Sequence, residues 1–421
     1  MALGTGAVLG IAAIGTGIYF LIESLGGDEE EAAPAPAPRI IVKQRPEQQP
    51  EATQDLGFPA FATKNTTRVA GVDPIADAAG VALAVFPSTG GVNEPAAVTL
   101  VRSDDWQGGL AAASLVAPPI GAPILIAGPN TIPDLTQDAL RVLAPEGTAE
   151  TGGRQVFRIG AAPAVGGVRS EDVKGSNPAE IAAAIDRLRQ ELTGKQPDHV
   201  LLASSDEPEF AMPAAAWAAR SGDPVLFLRK EAAPKPTLEA LKRHRGVPVY
   251  VLGPPSVISE KALAGVEKAA SGVKRIGAED PVQNAIAFAR CLSCGGFGWD
   301  INDPGHGFVI ATGSRPLDAA AAAPLSGSGS WGPLLLTDDR DEVPAPLRGY
   351  LLDLKPGYLD DPTRAVYNHV WVIGDEGAIS VGFQAQVDDL AEAAPVSTRS
   401  GGRTAGPPGT PENEGSVPGK R

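Results

Sequence analysis

The stretch FVIATGSRPLDAAAAAP, from Phe308 to Pro324, decides the fold. It begins as a continuous apolar run, which reads as a strand buried on both faces. Gly313 breaks the run, Ser314, Arg315 and Asp318 follow, and the rest is nearly pure alanine. Ser314 or Asp318 is expected to satisfy free N–H groups at a helix start, where a carboxylate also suits the helix dipole. The alanines would let that helix approach another backbone closely.

Two other segments align with this one without a gap: VTLVRSDDWQGGLAAAS from Val98 and VLLASSDEPEFAMPAAA from Val200. Beyond each lies a proline opening a second apolar run, at Pro123, Pro224 and Pro333. A third run closes each unit, VFRIGAAPAV from Val156, VYVLGPPSVIS from Val249 and VWVIGDEGAIS from Val370. Upstream, each unit opens with a glycine and a proline about three residues apart, at Gly71, Gly175 and Gly277. The period is about a hundred residues, which suits whole small domains rather than a solenoid.

Apolar strands alternating with helices imply a mostly parallel sheet covered on both faces, and right-handed crossovers make it doubly wound. The expected fold class is therefore α/β, with three tandem doubly wound repeats. Alanine-rich helices in three copies suggest that the repeats meet face to face as a pseudo-trimer. Sites in such sheets lie beyond the carboxyl ends of the strands. Those ends carry Ser103 and Asp104, then Ser204 and Asp206, then Thr312 and Arg315.

TTRVAGVD, RPLDAAAAAPL, GAPILIA and WVIGDEGAIS together resemble the bacterial cell wall-binding repeat 2 family. The likeness runs from Asn65 to about Ala394. It implies a non-catalytic module in which three repeats bind an anionic cell wall polysaccharide, or a peptidoglycan-linked polymer, noncovalently. The family's Asp after the first strand is kept only as Asp318, with Gly108 and Phe210 at the corresponding places. Its opening Arg is kept as Arg68 and Arg275, with Asp172 in the second repeat. The third repeat is thus the best candidate for a working site. Candidate ligand-binding residues are Arg315, Asp318, Arg275, Arg68, Thr312, Ser204 and Asp206.

The chain of 421 residues divides by composition as well as by repeat. Residues 2–22 are uncharged and about as long as a membrane-crossing helix requires, so residues 1–25 are read as a single-pass anchor. A cleaved signal peptide is the rival, although no basic start is present. Residues 26–64 form a Pro- and Glu-rich linker, 65–168, 169–272 and 273–394 the three repeats, and 395–421 a disordered tail. This organisation would hang the folded part outside the cell, facing the wall.

The formal net charge of −15 and the lack of a basic stripe argue against a nucleic-acid partner. Cys291 and Cys294 are the only cysteines. As CLSC they could form a disulfide loop, a redox couple or part of a zinc site. They open a Gly-rich insert, CLSCGGFGWDINDPGHG, read as a packed surface loop around Trp299, in which His306 is a loop histidine or a ligand contact. The patterns G-x-S-x-G, H-E-x-x-H and a phosphate loop do not occur, and no cofactor is expected. An extracytoplasmic receptor for a small solute, and a thiol redox enzyme at the CxxC, are the alternatives to a wall-binding protein.

Overall fold

The computed structural model describes residues 59–88, 93–270, 272–291 and 296–396. The expected anchor, most of the linker and tail, and Cys294 lie outside them. Among the described residues no helix is long and apolar enough to cross a membrane.

The described chain opens with β1 (Pro59–Ala62), β2 (Thr66–Val69) and α1 (Pro74–Val85). It continues with β3 (Val98–Arg102), α2 (Trp106–Ala112), β4 (Ile124–Ala127), α3 (Asp134–Leu143) and β5 (Val156–Ile159). The second repeat comprises β6 (Ser170–Val173), α4 (Pro178–Thr193), β7 (Val200–Ser204), α5 (Pro208–Ala211), α6 (Pro213–Ser221) and β8 (Val225–Leu228). It ends with α7 (Lys235–Arg243), β9 (Val249–Leu252) and α8 (Glu260–Glu267). The third has β10 (Val273–Ile276), α9 (Pro281–Arg290), β11 (Gly307–Thr312), α10 (Leu317–Gly327), β12 (Leu334–Thr337) and α11 (Ala345–Asp353). After the two-residue β13 (Gly357–Tyr358) come β14 (His369–Ile373), α12 (Val381–Ala391) and β15 (Ala394–Pro395), which pairs with β13.

Three small sheets result, ordered β4-β3-β5-β6, β8-β7-β9-β10 and β12-β11-β14-β2-β1. All their pairings are parallel except that of β1 with β2. The sequence period and the sheet differ by one strand. Each repeat's opening strand leaves its own repeat and joins a neighbour's sheet: β6 pairs with β5, β10 with β9, and β2 with β14 across the whole chain. The exchange closes a ring.

Local chemistry fixes where each exchanged strand stops. The glycine ending the third strand of each sheet, Gly160, Gly253 or Gly374, turns with positive φ and donates its N–H to the last carbonyl of the incoming strand, at 2.8–2.9 Å. The incoming strand then turns into a helix whose first residue is proline, pre-set for that position. The residue before the proline caps it: Asp73, Asn177 and Asp280 each accept from a backbone N–H three residues on, at 2.9–3.1 Å. Proximity of that helix start leaves no room for a side chain at Gly71, where a Cβ would strike Asp77.

The alanine helices meet. α10 packs on α6 and on α2, and Ala319 to Ala323 are at most 2% exposed. A Cβ on Gly109 of α2 would lie 3.1 Å from Ala320 Cβ, and one on Gly327 of α10 would lie 2.6 Å from the Ala219 carbonyl of α6. Small residues are therefore what this junction requires. One apolar core runs through all three repeats, and a smaller one lies around β4, α1 and α3.

The expected cap of α10 is not made. No side chain bonds the free N–H groups at its start, because Arg315, three residues earlier, draws the Asp318 carboxylate to itself. The insert is packed, as expected: Phe297 and Trp299 are 2% and 8% exposed. Cys291 is disulfide-bonded.

Candidate functional site

The carboxyl ends of β11, β12 and β14 open into a cleft of about 700 Å³, into which Thr312, Arg315, Thr337, Arg340 and Asp375 face. Glu209 of α5 reaches it from the second repeat. The cleft is therefore built at a junction between repeats, where the strand ends of one sheet meet the helix starts of its neighbours.

Arg315 organises the floor. Its Nη2 donates to Asp77 Oδ2 at 2.5 Å and to Asp318 Oδ1 at 3.2 Å. Nε lies 2.9 Å from Asp318 Oδ2, too obliquely for a hydrogen bond, which leaves that oxygen without one. Nη1 is 3.9 Å from Asp375 Oδ1. Asp77 belongs to the first turn of α1 and also accepts from the Gly71 N–H at 2.8 Å. Asp77 and Asp318 are both 0% exposed, so two carboxylates share one guanidinium away from water.

Two buried like charges beside one cation cannot both ionise cheaply. Burial pushes the Asp318 carboxyl up to about 7, against the pull of Arg315. Asp77 is raised well above the usual carboxylate range, first by burial and then by the Asp318 charge. Burial and mutual repulsion thus favour the protonated form of this pair relative to solvated carboxylates.

The expected site residues divide into three groups. Thr312, Arg315 and Asp318 are brought together, with Thr312 Oγ1 3.0 Å from Ser314 Oγ. Arg68, 2% exposed, lies behind the cleft. Its Nη1 donates to the Gly374 and Ile379 carbonyls at 2.7 and 2.8 Å, Nη2 to Ser380 O at 3.1 Å, and Nε to Gln384 Oε1 at 2.8 Å. It holds the loop that carries Asp375 and touches no open space. Arg275 does the same work in the second sheet, bonding the Gly253 and Ile258 carbonyls at 2.7 and 2.8 Å.

Ser204 and Asp206 stand at the end of β7, beside a separate cleft of about 420 Å³ that Asp206 lines. Ser204 Oγ accepts from the N–H groups of Asp206 and Glu207 at 3.1 Å, and Asp206 Oδ2 from Lys230 N–H at 3.1 Å. Both residues hold their own turn. In the first sheet Asp172 replaces the opening Arg, and Arg158 of the adjacent β5 compensates. It pairs with Asp172 and donates to the Ala162 carbonyl.

Asp77, missed from sequence, is the partner that distinguishes the third sheet. Its counterparts, four residues after each glycine-proline opening's cap, are Ile181 and Asn284. Where Arg315 and Asp318 stand, the first repeat has Asp105 and Gly108 and the second Glu207 and Phe210. The signal was a lone acid in an otherwise apolar helix, Pro74–Val85.

A model of the family described as cell wall binding domain 2 matches residues 173–263 and 275–384. Among solved structures, Cwp6 from Clostridium difficile is similar with a TM-score of 0.61 and 18% identity, over 78% of this chain and 47% of that one. Cwp8 from Clostridium difficile is similar with a TM-score of 0.58 and 18% identity, over 78% and 52%. The chain spans about half the length of those structures, and at that identity the likeness is one of fold. No curated protein sequence matches. The two matched segments cover most of the second and third repeats, and over them the chain matches the cell wall binding domain 2 family.

Proposed function

We propose that the chain binds cell wall polymer noncovalently and without catalysis, as a pseudo-trimer of three repeats whose working cleft is that of the third sheet. The observation that carries the reading is an Arg–Asp pair at a strand-end cleft, Arg315 with Asp318, inside a segment that matches the wall-binding family. Residues 1–25 would tether the folded part to the membrane, facing the wall.

The charge of the cleft shapes how an anionic polymer is met. Arg315 and Arg340 face Glu209, Asp338 and Asp375, two cations against three anions. Diffuse attraction is therefore absent, and hydrogen bonds to polymer hydroxyls together with the arginine donors must hold the ligand. Retention should change less than about threefold between low and moderate salt, unlike that of a polybasic surface.

Sedimentation of the purified protein with isolated walls tests this. Retention is expected to fall when wall polysaccharide is stripped, and by about tenfold for Arg315→Gln. Protein that ignores walls at low salt, or binds stripped walls equally, would overturn the proposal.

A further inference from the structure

The third sheet has another opening, at the amino ends of its strands and so opposite the cleft. It is a groove of about 630 Å³ with Trp371 of β14 on its wall. His369, on the same strand face, sets its ring edge-on to the indole at 6.0 Å between centroids. His306 and Tyr367 also line the groove, and no Lys, Arg, Asp or Glu does among the described residues. Tyr367 is 69% exposed.

The repeats themselves show what such a place holds. Strand pairing puts Trp371 opposite Thr67 and Tyr250 opposite Lys274, so Trp371 and Tyr250 are equivalent. In the second sheet Phe297 from the insert stacks on Tyr250, with centroids 3.9 Å apart and planes 7° from parallel. His199 and Trp217 pack edge-on around it. That stack is sealed: Tyr250 and Phe297 are 1% and 2% exposed. Phe157, the counterpart in the first sheet, is 0% exposed. Trp371 is only half-buried. Where the second sheet has His199 the third has Gly307, and a Cβ there would strike the Ser330 backbone. The groove cannot be filled by a side chain at that position.

We propose that this groove is a saccharide subsite that stacks the C–H face of an uncharged pyranose ring on Trp371. A ring with one apolar face and a hydroxyl edge fits an open slot with an indole wall and a polar rim. The rim supplies the imidazole of His306, the phenol of Tyr367 and the ring of His369, whose Nε2 lies 3.1 Å from Thr67 Oγ1. An aromatic side chain would instead need the dry enclosure that Phe297 occupies. The wall-binding proposal enters only in the choice of an amino sugar as the probe.

Calorimetric titration of the full chain with tri-N-acetylchitotriose tests the site. Binding is expected, weakened about five- to tenfold by Trp371→Ala and by Tyr367→Ala, and largely kept by Trp371→Tyr. Tyr367 is exposed, so that variant keeps the test valid should Trp371→Ala fail to fold. No binding by the natural sequence, or binding by Tyr367→Ala and Trp371→Ala as tight as that of the natural sequence, overturns the inference. So does a doubled solution mass that Tyr367→Ala abolishes, since a second copy would then be the occupant. Loss of trisaccharide binding with wall sedimentation intact removes this subsite alone. The reverse result removes the wall-binding reading alone.

Discussion

Replacing Asp318 by Asn should change how stability depends on pH, with a sign opposite to that of an ordinary ion pair. Asp318 is 0% exposed and shares Arg315 with Asp77. Its folded pKa is raised to about 7, with burial as the first cause, whereas an unfolded Asp titrates near 3.9. Between those values the unfolded chain has released a proton that the native state retains. Stability must therefore fall as pH rises through this window, by up to about 1.4 kcal/mol per pH unit and about 4 kcal/mol in all. Below the window the group is neutral in both states, and above it the loss is complete. Asn cannot titrate, and its neutrality also relieves Asp77 of one of the charges that hold it up. Urea denaturation followed by tryptophan fluorescence, from about pH 4 to pH 8, should show the variant gaining steadily on the natural sequence as pH rises. The absolute difference at any single pH carries no weight, because the variant also loses an ion pair. Only the slope decides. A difference independent of pH would refute the reasoning, and so would a natural sequence that gains on the variant as pH rises. The latter is what a solvated, depressed carboxylate would give.

Arg68→Met strands the carbonyls of Gly374, Ile379 and Ser380, and should cost about 3–5 kcal/mol in denaturant midpoint terms; a loss under about 1 kcal/mol would contradict its buried role. Gly109→Leu drives a side chain into Ala320 and Leu317 across the helix junction, and should cost at least about 1–3 kcal/mol by thermal melting, well beyond Gly109→Ala. Phe297→Ala empties the slot between Tyr250 and Trp217, and should cost about 3–5 kcal/mol and weaken the near-ultraviolet circular dichroism.

The parts of the fold written in apolar runs were legible. VLLAS, FVIAT and VWVI read as buried strands because both sheet faces are covered, and the alanine runs read as a close junction because nothing larger fits. The exchanged strands were not legible. SEDV at Ser170 is four residues long with three polar side chains, so no period announces it, and TTRV at Thr66 pairs with Val370, three hundred residues away. Without that pairing, Arg68 looks like a surface cation rather than the buried clasp of a distant loop, and Arg158 cannot be recognised as the replacement for Asp172. At the site, Thr312 and Arg315 followed from their place at a strand end. The role expected of Asp318 at the start of α10 failed because a cation three residues upstream outcompetes backbone N–H groups for a buried carboxylate.

Strand exchange also changes what a repeat is. In a solenoid each repeat touches only its neighbours, and a terminal one can be removed with the rest intact. Here the third sheet is completed by the opening strand of the first repeat, and the same region is tied to α12 and the residue after it. Asn65 N–H donates to Asp388 at 2.8 Å, and Lys64 reaches Glu392 at 2.7 Å. Removal of everything before Pro74 would leave β14 as a bare sheet edge and the carbonyls bonded by Arg68 unpaired. The damage would fall on the third sheet, although the deletion lies at the opposite end of the sequence. The same third sheet depends on Asp77 of the first repeat for its acid pair. The Arg315 site is thus assembled from both ends of the folded chain, which gives the ring closure a direct physical bearing on whatever that cleft binds.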